Sequence, residues 1–396
     1  MRGNLLLPAA LVFACLLATG QPSAHHNLSF PALASTWDES LPLGNGMLGQ
    51  MVWARNGNLR FSLDRADLWD ERKVVDFKVL NYKWVLQQYF DNNYTAVQQY
   101  GDVPYEEFPY PTKIPGAALE FALNGSASNR LDIRTAEATA AWGNGGTTLT
   151  TFVHATKQVG VFLFDQAPAG LEPVIIPPVY RSGTEVAGAN SVEGQSLERL
   201  GYPQGVLEST PGMRKFRQTG ALGFSYEVCV MWKRSGNRLF GVWTIQTGKN
   251  GAATDAEKIC REELNSGFGA LQRSHREWWK QYWSKSSVRL PDPLLDRQYH
   301  LDLYKLGAVA RKGAPAITLQ GIWTADNGKL PPWKGDFHHD LNTQLSYWPA
   351  YTGNRLDIAE TFTDWLWAVR EENRQYTKDF FGVEGLNVPG VTTITG

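Results

Sequence analysis

The spacing of apolar residues changes once along this chain. Over residues 27–249 they alternate in short runs separated by Gly, Asn and Ser; beyond about residue 253 they return every three or four positions. Alternation marks half-buried strands and the longer period marks amphipathic helices. A chain of 396 residues that makes this switch has room for a β region followed by a helical one.

In the first part, the runs 48–53 and 59–63 flank Asn56-Gly57, a turn signal that predicts a β-hairpin. Further strands are predicted at 116–123, 131–133, 148–153, 159–164, 223–232 and 239–245. Short strands punctuated by turns predict a β-sandwich over residues 27–250. Residues 82–100 interrupt it with a helical period through Tyr82, Val85, Leu86, Tyr89, Ala96 and Tyr100, and 102–115 reads as Pro- and aromatic-rich loop. Residues 173–219, rich in Gly, Pro and Ser, read as a long connecting loop.

In the second part, residues 253–292 read as a helical linker with a break near Gly267 and Gly269. A helix over 294–311 would bury Leu295, Tyr299, Leu303, Leu306 and Val309, and a last helix would span 358–376. Residues 1–24 have the form of a secretory signal peptide: Arg2, an apolar run, then small residues at 21–24. Export to the periplasm or exterior follows, and Cys15 sits in only a poor lipoprotein box. A net charge of −1 offers no footprint for nucleic acid or an anionic membrane. Cys229 and Cys260 remain after signal removal, with no zinc-site spacing; their pairing is a question of geometry.

Residues 331–351 concentrate the chemistry. Trp333, Asp336, Phe337, His338, His339, Asp340, Asn342, Gln344, Tyr347 and Trp348 put flat rings beside short polar groups, the combination that a sugar's C–H faces and hydroxyls require. Read from residues alone, it is equally an aromatic helix start packed on a core. The order Trp333, Asp336, Phe337, His338, Asp340, Asn342, Gln344, Tyr347, Trp348 resembles the signature Trp-x-x-Asp-Tyr-His-x-Asn-x-Asn-x-Gln-x-Asn-Tyr-Trp of glycoside hydrolase family 95, which contains α-L-fucosidases and some α-L-galactosidases. Leu319-Gln-Gly-Ile-Trp323 and the block 41–69, with Pro42-Leu-Gly-Asn-Gly46, resemble the same family.

The resemblance implies a supersandwich-like N-terminal domain and, over residues 293–396, the first helices of an (α/α)6 barrel, with residue 396 far short of a complete one. It implies inverting hydrolysis of α-L-fucosyl or related bonds by a carboxylic acid and a base-activated water, with this chain an inactive fragment. A non-catalytic carbohydrate-binding or scaffold protein is the alternative. Asn342 and Asp340 fall where the family has its two water-holding asparagines, His338 where it has a sugar-contacting His. Trp333, Asp336, Gln344 and Trp348 complete the candidate substrate site. Asp340 departs from the family's Asn: a carboxylate cannot donate as an amide does, so Asp340 is read either as one of two crowded carboxylates or as the base itself. Asp340 and Asn342 share a side only if the backbone is extended between them, which predicts a helix starting near Asn342, whose plain alternative role is N-capping. No cofactor or metal is expected, because adjacent His338 and His339 rarely converge on one ion; oligomeric state is open.

Overall fold

The computed structural model describes residues 21–123, 125–143, 146–180, 190–250 and 254–396. The apolar run of the expected signal peptide and Cys15 lie outside them. Strands precede helices, as the change of period predicts.

After β1 (Leu28–Phe30) come β2 (Leu41–Gly44), β3 (Leu48–Arg55), β4 (Asn58–Arg65) and β5 (Trp69–Asp70). The hairpin is there: Arg55 pairs with Asn58 across Asn56 and Gly57, at φ +52° and +83°, the left-handed pair that a tight hairpin turn needs. The helix expected over 82–100 is two, α1 (Tyr82–Phe90) and α2 (Tyr94–Tyr100), because Asn92 takes φ +53° between them. Tyr82, Leu86, Tyr89 and Tyr100 of its expected apolar side are exposed. A further helix, α3 (Asp102–Glu107), occupies part of the expected loop.

Next come β6 (Thr112–Lys113), β7 (Ala117–Phe121), β8 (Ala127–Asp132), β9 (Glu137–Trp142), β10 (Thr148–Val153) and β11 (Gly160–Asp165). β12 (Val174–Ile176), β13 (Val206–Thr210), β14 (Met213–Thr219), β15 (Phe224–Ser235) and β16 (Arg238–Lys249) follow. Residues 173–219 are therefore not simply loop. β13 is exposed along its length and β14 mostly half-buried, so this edge hairpin lacks the apolar alternation that marks strands in sequence.

One antiparallel sheet runs β1-β8-β9-β10-β11-β16-β15-β14-β13 and a smaller one β12-β7-β4-β3-β2. They pack face to face. Phe121 of β7 meets Phe61 of β4 at 5.2 Å and Phe162 and Phe164 of β11 at 5.2 and 5.0 Å between ring centres. Trp243 Nε1 donates to Gln50 Oε1 from sheet to sheet, 2.9 Å, so these two buried polar atoms satisfy each other.

The helical part consists of α4 (Ala256–Ser266), α5 (Phe268–Ser284), α6 (Pro293–Val309), β17 (Phe337–His338), α7 (Asn342–Thr352), α8 (Leu356–Ala368), α9 (Arg370–Phe381) and β18 (Val391–Thr392). Gly267 at φ +80° separates α4 from α5, where the break is expected. Cys260 and Leu264 of α4 pack on the outer face of the large sheet against Phe152, Val161 and Val242. Both cysteines are buried free thiols, and Cys260 Sγ donates to the Cys229 carbonyl at 3.4 Å. Trp279, Tyr282 and Trp283 of α5 join Tyr304 of α6 in the main core. The buried side of α6 is Asp296, His300, Leu303, Tyr304 and Leu306, while Leu295 is exposed, so the face is turned by about one residue from the expected one. The expected helix over 358–376 is α8 and α9, divided at Val369. Among the described residues no helix is long and apolar enough to cross a membrane.

Candidate active site

The two sequence blocks singled out above touch each other. A Cβ at Gly49 would lie 1.8 Å from the Ile322 carbonyl oxygen, and one at Gly46, φ +83°, 2.6 Å from the Arg311 amide nitrogen. Glycine is needed at both because the backbone of residues 308–323 crosses directly over β2 and β3. Trp323 Nε1 donates to the Leu43 carbonyl at 2.9 Å, and Gly46 N–H to that of Ala308 at 2.7 Å. Beneath this crossing Lys113 Nζ donates to both oxygens of Asp64, 2.7 and 2.8 Å, with both side chains buried. The Thr324 amide and hydroxyl also donate to Asp64. A buried carboxylate with this many donors is a rigid joint between the β region and the loop that carries the site.

From Pro331 the chain makes a turn with three successive left-handed residues: Trp333 at φ +54°, Lys334 at +57° and Gly335 at +65°. Such angles in residues with a Cβ cost on the order of 1 kcal/mol each and persist only where surroundings impose them. Here the surroundings come from the β region. Trp333 N–H donates to the Ser191 carbonyl at 2.7 Å, and Lys334 Nζ donates to the Phe108 and Tyr110 carbonyls at 2.9 and 3.1 Å. The Thr112 hydroxyl caps the Lys334 carbonyl at 3.2 Å.

This turn leaves Trp333 43% exposed, its ring edge-on to His338 at 6.0 Å, and puts Asp336 inside. His338 Nε2 stands 2.7 Å from Asp336 Oδ1, off the hydrogen-bonding direction, and neither atom has a hydrogen bond among the described residues. The Tyr105 hydroxyl donates to Asp336 Oδ2 at 3.4 Å. Burial is the main influence on Asp336 and pushes its carboxyl up to about 8, despite Tyr105 and Lys334. Burial likewise brings Lys334 down to about 8 and lowers His338, against the opposing charge of Asp340. At neutral pH Asp336 therefore holds a proton beside a neutral imidazole.

Past Asp336, β17 pairs with β18, and Phe337 is fully buried against Trp365 at 4.4 Å. His339 is taken up by structure: its Nε2 lies 2.9 Å from Thr392 Oγ1, and its carbonyl accepts from Gln344 Nε2 at 3.1 Å. Gln344 thus holds the turn. Asp340 is exposed in that turn, and α7 begins at Asn342, where the helix start is expected, but Leu341 between them (φ −146°, ψ −60°) is not extended as the shared-site reading requires. Asn342 is not a cap: Leu341 occupies the N-cap position, without a side-chain cap bond. Instead Asn342 lines a cavity of about 320 Å³ with Ile317, Thr318, Leu319, Thr343, Leu345 and Ser346. Trp348 is 57% exposed on α7. The structure thus gathers Trp333, Asp336 and His338, sets Asn342 at a cavity, and uses Gln344 and His339 for support. Tyr105 and Lys334 escaped the sequence reading. Tyr105 lies in an apparent loop 231 positions from Asp336, and a single lysine in a turn carries no signal.

The catalytic domain of glycosyl hydrolase family 95 matches residues 269–396, which contain this loop. The helical part of the chain is related to family 95. Over 95 residues the chain is 32% identical to Alpha-L-fucosidase 2 of Arabidopsis thaliana, a match covering 24% of this chain and 11% of that protein. Residues 30–81 match a domain of unknown function, DUF5703. That second match contains β2 to β5, the strands over which the family 95 loop is laid.

Proposed function

We propose that the protein is an exported glycosidase of family 95 type that hydrolyses α-L-fucosyl or related α-L-glycosidic bonds with inversion, α5 to α9 being the first helices of an (α/α)6 barrel. The observation that carries the reading is that the family 95 match encloses one stretch carrying a half-exposed tryptophan beside a neutral histidine and, at the start of the next helix, a cavity-lining asparagine. Trp333 stacks on the sugar's C–H face, and His338, steadied by Asp336, meets a hydroxyl. Asn342 orients the attacking water, and Asp340 takes its proton as oxygen attacks the anomeric carbon opposite the departing group. An acid that protonates the departing oxygen is not assigned.

The test is hydrolysis of aryl α-L-fucoside and α-L-galactoside, with the anomer formed first read by NMR. Asn342→Ala and Asp340→Ala are expected to lower kcat by about 10²-fold or more in folded protein. Unchanged kcat in Asn342→Ala would remove the water-positioning role. A second reading is carbohydrate binding without hydrolysis. It draws on Asp340, an exposed carboxylate where the family resemblance expects an amide donor. No turnover of either glycoside by this chain or by a longer product of its gene, together with retained glycan binding lost in Trp333→Ala, would establish it.

A further inference from the structure

Seven histidines are present, and three of them meet far from the candidate active site in the sequence. Adjacent histidines rarely converge on one ion, but here a short 3-10 turn, Ala24–His26, brings both rings together above the first turns of α6, with both Nε2 atoms toward Asp296. There His26 Nε2 lies 2.9 Å and His25 Nε2 3.7 Å from Asp296 Oδ2, and the three atoms are all within 4.8 Å of one another. His300, one helical turn after Asp296, stacks on His26 at 4.0 Å between ring centres. We propose that His25, His26 and Asp296 form a site for a divalent transition-metal ion of the zinc kind, clamping the start of the β region to α6.

Tetrahedral zinc with nitrogen and oxygen ligands at about 2.0–2.1 Å places neighbouring ligand atoms about 3.3 Å apart. The separations of 2.9 and 3.7 Å bracket that value. Only the His25 side chain, 63% exposed, has to swing inward to close the triangle. Its exposure leaves the fourth position open to water.

The surrounding groups have the character of an outer shell. The Leu290 amide donates to Asp296 Oδ1 at 2.9 Å, leaving Oδ2 for the ion, and His300 Nδ1 lies 2.8 Å from the Asp296 carbonyl.

The protons balance. Without the ion, His26 Nε2–H donates to Asp296. With it, that proton sits on Nδ1 and Nε2 binds the metal. No motif announces the site, since Asp296 is 270 positions from His26. Its neighbours show what it would hold: Asn27 Oδ1 accepts from the Ile133 amide, and the Asn27 carbonyl from Arg297 of α6.

The experiment is titration of the metal-free chain with Zn²⁺ by calorimetry, and with Co²⁺ by visible absorption, for the parent, His25→Ala and Asp296→Asn. Circular dichroism checks each fold, and His339→Ala serves as the control. The parent is expected to bind one equivalent, with the intense visible bands of four-coordinate cobalt. His25→Ala, an exposed position, should keep its fold and bind at least about 10-fold more weakly, and Asp296→Asn should lose the cobalt bands. Absence of saturable binding overturns the proposal. So does unchanged affinity in His25→Ala, whatever Asp296→Asn does, because loss there alone is explained by disturbing α6.

Discussion

Asp336 is nearly inaccessible, and replacing it by Asn tests whether it holds a proton. A carboxyl raised from 3.8 in the unfolded chain to about 8 in the folded one keeps its proton when folded and releases it when unfolded. The unfolded state then binds fewer protons throughout the interval, so stability falls as pH rises between the two values. At about 1.4 kcal/mol per pH unit, the cost accumulated from pH 5 to pH 8 is about 3–4 kcal/mol. Asn has the same shape and no titration, and His338 titrates in both proteins and cancels in their difference. Urea unfolding of wild type and Asp336→Asn at pH 5, 6, 7 and 8 reads it directly: the stability difference should shift toward the Asn variant by about 3–4 kcal/mol over the series. If the two proteins stay parallel across that range, Asp336 is ionised in the folded state and the picture of a neutral acid beside His338 is wrong.

Lys113→Ala leaves the Asp64 carboxylate buried and unpaired; a loss of about 3–5 kcal/mol in urea unfolding is expected, with wild-type far-ultraviolet dichroism below the transition. Phe121→Ala removes the ring on which the two sheets meet and should cost about 3–5 kcal/mol by the same assay. Gly335→Ala puts a methyl 2.9 Å from Pro331 Cγ at φ +65°. It should cost more than about 1 kcal/mol and change the fluorescence of the neighbouring Trp333. The wild type should unfold at the same midpoint in reductant and in oxidant, since the Cys260 thiol meets the Cys229 carbonyl and forms no disulfide; unequal midpoints would refute that.

How much of the fold was legible depended on whether one side of an element is buried. β3 and β4 announced themselves through alternation around Asn56-Gly57, and the α4–α5 break through Gly267, because turn chemistry is local. β13 and β14 did not, since an exposed edge hairpin has no apolar face to alternate. Leu295 was misassigned because eight large apolar or aromatic residues surround nearly all of α6, and only its neighbours decide which side is inside. In the site, α7 starts at Asn342 as expected, although Leu341 before it is not extended.

By itself, then, the amino-acid order determined the succession of strands and helices, the glycines where backbones cross, and the residues 331–351 as the place of chemistry. The tertiary structure decided what those residues are. Asp336 becomes a protonated acid only because burial desolvates it, against the pull of Tyr105 and Lys334, and Trp333 is exposed only because carbonyls 108, 110 and 191 hold three left-handed residues in line. Likewise His25, His26 and Asp296 meet across 270 positions. Charge state and convergence are properties of an enclosure, set by desolvation and by groups distant in the chain, and no local pattern encodes them.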